Sequence, residues 1–93
     1  MNEKNQDQED WGLEEFIDAY RRDDFEQAFQ ICLAGANQGS AEAQVYCGEF
    51  YKNGIGVNQD IDEAIRWYTA ASEQGDTEAK FSLGFLYASG TGV

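Results

Sequence analysis

The sequence predicts an all-α fold, an α/α solenoid of about five helices stacked as antiparallel hairpins, and three observations predict it. The chain matches itself at an offset of 36 residues: "QGSAEAQVYCGEFYKNGIGV" at 38–57 falls on "QGDTEAKFSLGFLYASGTGV" at 74–93, with nine of twenty positions identical. Apolar residues in both stretches recur at helical spacing, and a Gly-x-Gly pair closes each. A period between about 20 and 50 residues marks a repeat array, in which each unit buries its apolar face against the next.

Within a unit, Ser40 and Asp76 are placed to cap a first helix by accepting from its free amides. Ala43, Cys47, Phe50 and Tyr51 then share one face of the first copy, as Ala79, Leu83, Leu86 and Tyr87 share one face of the second. Gly48 and Gly84 lie inside these helices, where glycine costs about 1 kcal/mol relative to alanine, so both are expected at close helix-to-helix contacts. Gly54 is expected to end the first helix in a left-handed conformation, Gly56 to let the chain reverse, Val57 to plug the turn into the core, and Asp60 to open a capping box with Glu63. Gly90 and Gly92 repeat that corner.

The second helix is expected from about Ile61 to Glu73, with Gly75 as its stop. An earlier copy appears in "DDFEQAFQICLAGANQG", where Asp24 and Gln27 stand in for Asp60 and Glu63. Before it, Gly12, Phe16, Ala19 and Tyr20 reproduce the first-helix pattern with a shorter turn. The chain therefore divides into an acidic polar leader (1–10), an N-terminal capping hairpin (11–39), one complete repeat (40–75) and the first half of another (76–93). The last helix, Thr77 to Ser89, lacks a hairpin partner, which suggests a fragment of a longer array whose Leu83, Leu86 and Tyr87 form an apolar surface open to self-association.

Composition removes several function classes. Ninety-three residues allow one small domain, and 42% hydrophobic residues suffice for a core. The net charge is −12, with 10 of the 18 acids at or before Glu26, and the six basic residues form no stripe, so nucleic acid and anionic membranes are poor partners. The sequence shows neither a signal peptide nor a membrane-spanning run, making a cytoplasmic location the default expectation. With no histidine, Cys32 and Cys47 assemble neither a zinc site nor a Cys/His nucleophile and are expected as buried thiols. Carboxylate pairs such as Glu14/Glu15 and Asp23/Asp24 fall in solvated stretches, where nothing tunes them for acid–base work.

Two motif-like stretches also fall short. The Gly54/Gly56 pair is not followed by the Gly-Lys-Ser/Thr ending of a phosphate loop. Asn58, Asp60 and Asp62 have the spacing of calcium ligands, yet the loop's sixth and twelfth positions hold Glu63 and Thr69 rather than glycine and glutamate. No catalytic residue, cofactor or metal is expected.

Residues 41–76, "AEAQVYCGEFYKNGIGVNQDIDEAIRWYTAASEQGD", closely resemble the Sel-one-like repeat, a relative of the tetratricopeptide repeat. The likeness rests on Ala41, Ala43, Gly48, Tyr51, the Gly54/Gly56/Val57 corner, Asp60, Ala64, Trp67–Tyr68, Ala71 and Gly75. Cys47 replaces a usual leucine, and Asn58 stands where proline is frequent. Residues 77–93 look like the first half of another such repeat, and 11–39 like a shorter tetratricopeptide-style hairpin. The resemblance implies a right-handed superhelix serving as a non-catalytic adaptor or scaffold, its concave wall lined by the first helix of each pair.

On that wall the inward positions should be Trp11, Glu14, Asp18 and Arg21, then Glu42, Val45, Glu49 and Lys52, then Glu78, Phe81, Phe85 and Ala88. An acidic groove with Trp11, Phe81 and Phe85 as anchors would suit a basic or amphipathic protein segment. Alternatively, the two phenylalanines are partly buried against the next helix. The competing function is structural: assembly with another copy through the uncapped C-terminal helix.

Overall fold

The computed structural model describes residues 11–89, and every helix it contains can be traced to a local signal. The helices are α1 (Leu13–Arg21), α2 (Phe25–Asn37), α3 (Ala41–Asn53), α4 (Ile61–Glu73) and α5 (Thr77–Ala88), with no strand among the described residues. Each packs chiefly on its neighbours in sequence, giving a slab with principal extents of 45 × 30 × 17 Å. That layered, short-range architecture is the helical repeat array read from the sequence. No described helix is long and apolar enough to cross a membrane.

Helix starts follow the predicted caps. The Asp24, Ser40, Asp60 and Asp76 side chains accept from the amides of Gln27, Ala43, Glu63 and Ala79, at 3.4, 3.2, 3.1 and 2.9 Å respectively. The reciprocal half of the capping box does not form. The Asp60 amide instead donates to the Tyr51 carbonyl at 2.9 Å, and the Glu63 carboxylate takes the Arg66 guanidinium at 3.1 Å. Likewise, the Asp24 amide donates to Ala19 across the α1–α2 turn. The turns have already engaged the amides that Glu63 and Gln27 were expected to bind.

The corners also hold their predicted shapes. Gly54 ends α3 at φ 69°, and Gly56 follows at φ 68° with its α-carbon so close to the Phe25 carbonyl that a side chain there would collide with it. Val57 packs half-buried against the core. The tight α1–α2 turn uses Asp23 at φ 60°, a left-handed position that aspartate tolerates better than most residues. Gly90, Gly92 and the acidic leader lie outside the described residues.

Two apolar clusters hold the stack. The first joins α1, α2 and α3 around Phe16, Phe29, Cys32, Cys47 and Phe50. The second joins α3, α4 and α5 around Val45, Ala64, Tyr68, Ala79 and Leu86. Fully burying one such side chain contributes about 1.5–3 kcal/mol, so α3, which serves both clusters, is the stack's central member. Gln44 reinforces it: buried on α3, it donates to the Ala36 carbonyl at 3.1 Å and accepts from Gln74 at 3.0 Å, while Gln74 also donates to the Gly39 carbonyl at 2.9 Å. This clasp links the C-terminal ends of α2 and α4 through α3 and satisfies a polar side chain that would otherwise be costly to bury.

Several expected contacts are revised. Trp11 is core rather than surface, 5% exposed, with its indole over Gly35 and its Nε1 donating to Glu42 at 3.2 Å. A Cβ on Gly35 would sit 2.7 Å from that ring. Gly12 precedes α1 at φ 104° instead of lying within the helix. Gly48 makes the predicted close approach, against the Tyr68 ring, whereas a Cβ added at Gly84 would meet nothing within 4 Å. Leu86, expected on an open apolar face, is 2% exposed and packs in the second cluster.

Candidate functional site

The surface built from α1, α3 and α5 carries both a groove and a charge pattern. Between α1 and α3 lies a groove of about 330 Å³, floored by Phe16, Tyr46 and Phe50 and rimmed by Ile17, Tyr20, Arg21, Glu49 and Asn53. The rings of the floor pack on one another: Phe16 stands 4.5 Å from Tyr46 and 5.7 Å from Phe50, centroid to centroid. The rim is partly wet, with Ile17 39% and Tyr20 45% exposed. Helical periodicity explains this arrangement, since Phe16 and Tyr20 are one turn apart, as are Tyr46 and Phe50.

Negative charge gathers beside the groove. Burial and the charges of Glu42, Glu49 and Glu78 raise the Tyr46 pKa above its ordinary value. Burial likewise raises Glu49, as does the neighbouring charge of Glu78 on α5, while Lys52 opposes the shift. Tyr68, fully buried below, is pushed up to about 12 by desolvation and the charge of Glu49, with Ser82 acting against it. Its hydroxyl lies near Ser82 without hydrogen-bond geometry and is left unpartnered.

The predicted wall is only partly present. Glu14, Asp18 and Glu42 are exposed, Glu49 is half-buried, and Phe81 and Phe85 stand out at 77% and 61% exposure. Trp11 and Val45, each 5% exposed, are core residues and offer no partner surface. Sequence reasoning passed over Ile17 and Tyr46 and assigned Tyr20 to the packed face, whereas Tyr20 is 45% exposed and lines the groove; aromatic and β-branched character at helical spacing was the available signal. Of the predicted α1 stripe, Arg21 lines the groove, while Glu14 and Asp18 do not.

The described residues contain no cluster of three or more Asp, Glu, Cys or His that could hold an ion. Cys32 and Cys47 are free and fully buried, 3.7 Å apart, and the hydrogen bond between them together with burial pushes the Cys47 thiol up, away from reactive thiolate.

The Sel1 repeat family profile matches residues 41–76 and 77–93. The chain belongs to the Sel1 repeat family. It is also similar to a solved structure, a Sel1 repeat protein from Oxalobacter formigenes, at 38% identity and a TM-score of 0.67 over 70% of this chain. That match spans 27% of the solved protein, so the chain corresponds to about a quarter of its length. No curated protein matches. Sel1 repeats are generally protein–protein interaction modules and form a non-catalytic scaffold family.

Proposed function

We propose that this Sel1 repeat chain is a non-catalytic adaptor that binds a protein or peptide segment along its concave face, across α1, α3 and α5. The observation that carries the reading is the aromatic-floored groove at Phe16, Tyr46 and Phe50, open at Ile17 and Tyr20 and flanked by acids. An apolar side chain seated there would be desolvated on three sides, while Glu14, Asp18, Glu42 and Glu49 steer basic or amphipathic segments toward it. Phe81 and Phe85 add exposed apolar surface on α5.

The test is affinity capture from the source cell's lysate with the chain and an Ile17→Asp/Tyr20→Ala variant of matched helicity. A protein retained by the first and lost from the second supports the groove. Retention of the same set by both rejects it.

A second reading has its own observation. Phe81, Phe85 and Tyr87 are 77%, 61% and 54% exposed on one helix, enough apolar surface to favour assembly with another copy. Of the residues expected to mediate this contact, Tyr87 is exposed, Leu83 half-buried and Leu86 buried. A sedimentation mass that rises with concentration, and returns to monomer on Phe81→Ser/Phe85→Ser, would favour assembly.

A further inference from the structure

Helix α5 keeps its buried side chains on one face, with Ala79 and Leu86 at 0% and 2% exposure. Opposite them run Thr77, Phe81, Gly84 and Ala88, spaced four, three and four residues apart, and all four are exposed. That spacing forms one straight seam, the arrangement by which one helix packs lengthwise on another. Glu78 and Phe85 border the seam on one edge, Lys80 and Tyr87 on the other.

Two features say what covers the seam, and the first is shape. A Cβ added at Gly84 would meet nothing within 4 Å among the described residues, so a hollow lies beside the exposed Phe81 ring. The repeat shows what such a hollow takes: at the equivalent Gly48, the Tyr68 ring lies so close that an added Cβ would stand 2.7 Å from it. When two copies of α5 pair antiparallel over their full length, Phe81 of each falls opposite Gly84 of the other, and Thr77 falls opposite Ala88. The one large residue of the seam thus meets the smallest. Two-fold symmetry also brings like edges together, setting the Lys80 ammonium of each copy beside the Tyr87 ring of the other, where the π face attracts it.

The second feature is charge. Of the 18 acids, 10 lie at or before Glu26, toward the α1 end of the stack, whereas α5 carries only Glu78 and Lys80 and has no net charge. A chain of net charge −12 repels its copies least when they meet through α5 and hold their acidic ends apart. A head-to-tail stack would instead bring the acidic α1 of one copy onto the body of the next.

We infer that α5 is a self-recognition surface through which two copies form an antiparallel, two-fold symmetric pair, Phe81 of each seated over Gly84 of the other. The inference rests on the assembly reading above and fixes its symmetry and its end point, a closed dimer rather than an open stack. No residue lining the α1–α3 groove belongs to α5, so the pair carries two free grooves. Phe81, Phe85 and Tyr87 offer at most roughly 400 Å² of apolar area per copy, about half that of a standard interface, so the pair forms at micromolar rather than nanomolar concentration.

Sedimentation equilibrium of the chain from about 10 to 500 µM should show a reversible monomer–dimer equilibrium that stops at two copies. Gly84→Leu separates shape from stickiness. The added leucine enlarges the apolar surface, so a merely apolar patch would associate more tightly; filling the hollow should instead weaken the pair at least about tenfold with helicity unchanged. Orientation is read by treating Thr77→Cys and Ala88→Cys with a short bismaleimide, the parent chain, whose Cys32 and Cys47 are fully buried, being the unlinked control. A mixture of the two variants should cross-link while each alone does not, because Thr77 of one copy lies against Ala88 of the other but about 16 Å along the helices from its Thr77. Cross-linking of Thr77→Cys alone, species larger than a dimer, or tighter association of Gly84→Leu overturns the pairing and leaves the assembly reading standing. A chain that stays monomeric over the whole range overturns both.

Discussion

Helices α3 and α5 are two copies of one pattern, yet they occupy different environments. α3 lies between α2 and α4 and serves both apolar clusters; α5 packs chiefly on α4. Aligned positions therefore diverge. Gly48 lies against the Tyr68 ring while Gly84 is open, and Val45 is buried while its counterpart Phe81 is 77% exposed. The same residue pattern thus becomes core or surface according to whether helices pack on both of its sides among the described residues. Only the inner face is common to both, with Phe50 and Leu86 each 2% exposed.

The largest expected contrast comes from charge. Val45→Asp places an unpaired carboxylate in the second cluster and should lower stability by about 3–5 kcal/mol, enough to unfold a small array. Phe81→Asp, its counterpart, should change stability by no more than about 0.5 kcal/mol, since that side chain is in water. Urea denaturation followed by circular dichroism measures both, and similar losses at the two positions would mean that α5 is as enclosed as α3.

Next come the glycines, whose alanine variants should differ in sign. At Gly48 an added Cβ would meet the Tyr68 ring at 2.7 Å, so Gly48→Ala should destabilise by about 1–3 kcal/mol through overpacking. Gly84→Ala meets nothing within 4 Å and should stabilise by about 0.5–1 kcal/mol through helix propensity. A loss at both positions would show that α5 is covered in solution, and repeating the measurement over a range of protein concentrations would show whether another copy covers it.

Tyr68 sharpens the account of the contact between them. Replacing it by phenylalanine keeps the ring over Gly48 and removes a buried hydroxyl that has no partner, so the thermal midpoint should rise, corresponding to about 1 kcal/mol. A fall of that size would mean that the hydroxyl finds a partner in solution.

The smallest effect is a pH slope. Glu49 has its pKa raised first by burial and then by Glu78, so in the window from the ordinary glutamate value up to the raised one the folded state binds more protons than the unfolded. Its contribution is therefore favourable at acidic pH and is lost as pH rises through that window. Glu49→Gln should flatten the decline in stability across that range, measured as denaturation midpoint against pH, and Glu78→Gln should lower the Glu49 pKa toward its usual value.

Much of the fold was legible because its signals are local. Caps at Asp24, Ser40, Asp60 and Asp76, and the left-handed stops at Gly54 and Gly75, each depend on a few adjacent residues. The candidate site was less legible because it depends on rotation. Trp11 lies before α1 rather than on it, so counting a stripe from Trp11 through Glu14 and Asp18 missed Ile17 and Tyr20, which rim the groove. Val45 was read as a wall residue because one helical face cannot reveal that α4 and α5 both reach the other side.

By itself the sequence determined the helical repeat, its period, the places where helices start and stop, and an acidic net charge, since each follows from composition, backbone chemistry or spacing along the chain. Only the tertiary structure decided which identical glycine is crowded, which aromatic is core, that Glu49 feels the charge of Glu78, and that the Tyr68 hydroxyl is buried without a partner. The physical reason is that burial and electrostatic coupling are properties of neighbours in space, and two helices with the same pattern acquire different neighbours at the middle and at the last described helix of a stack.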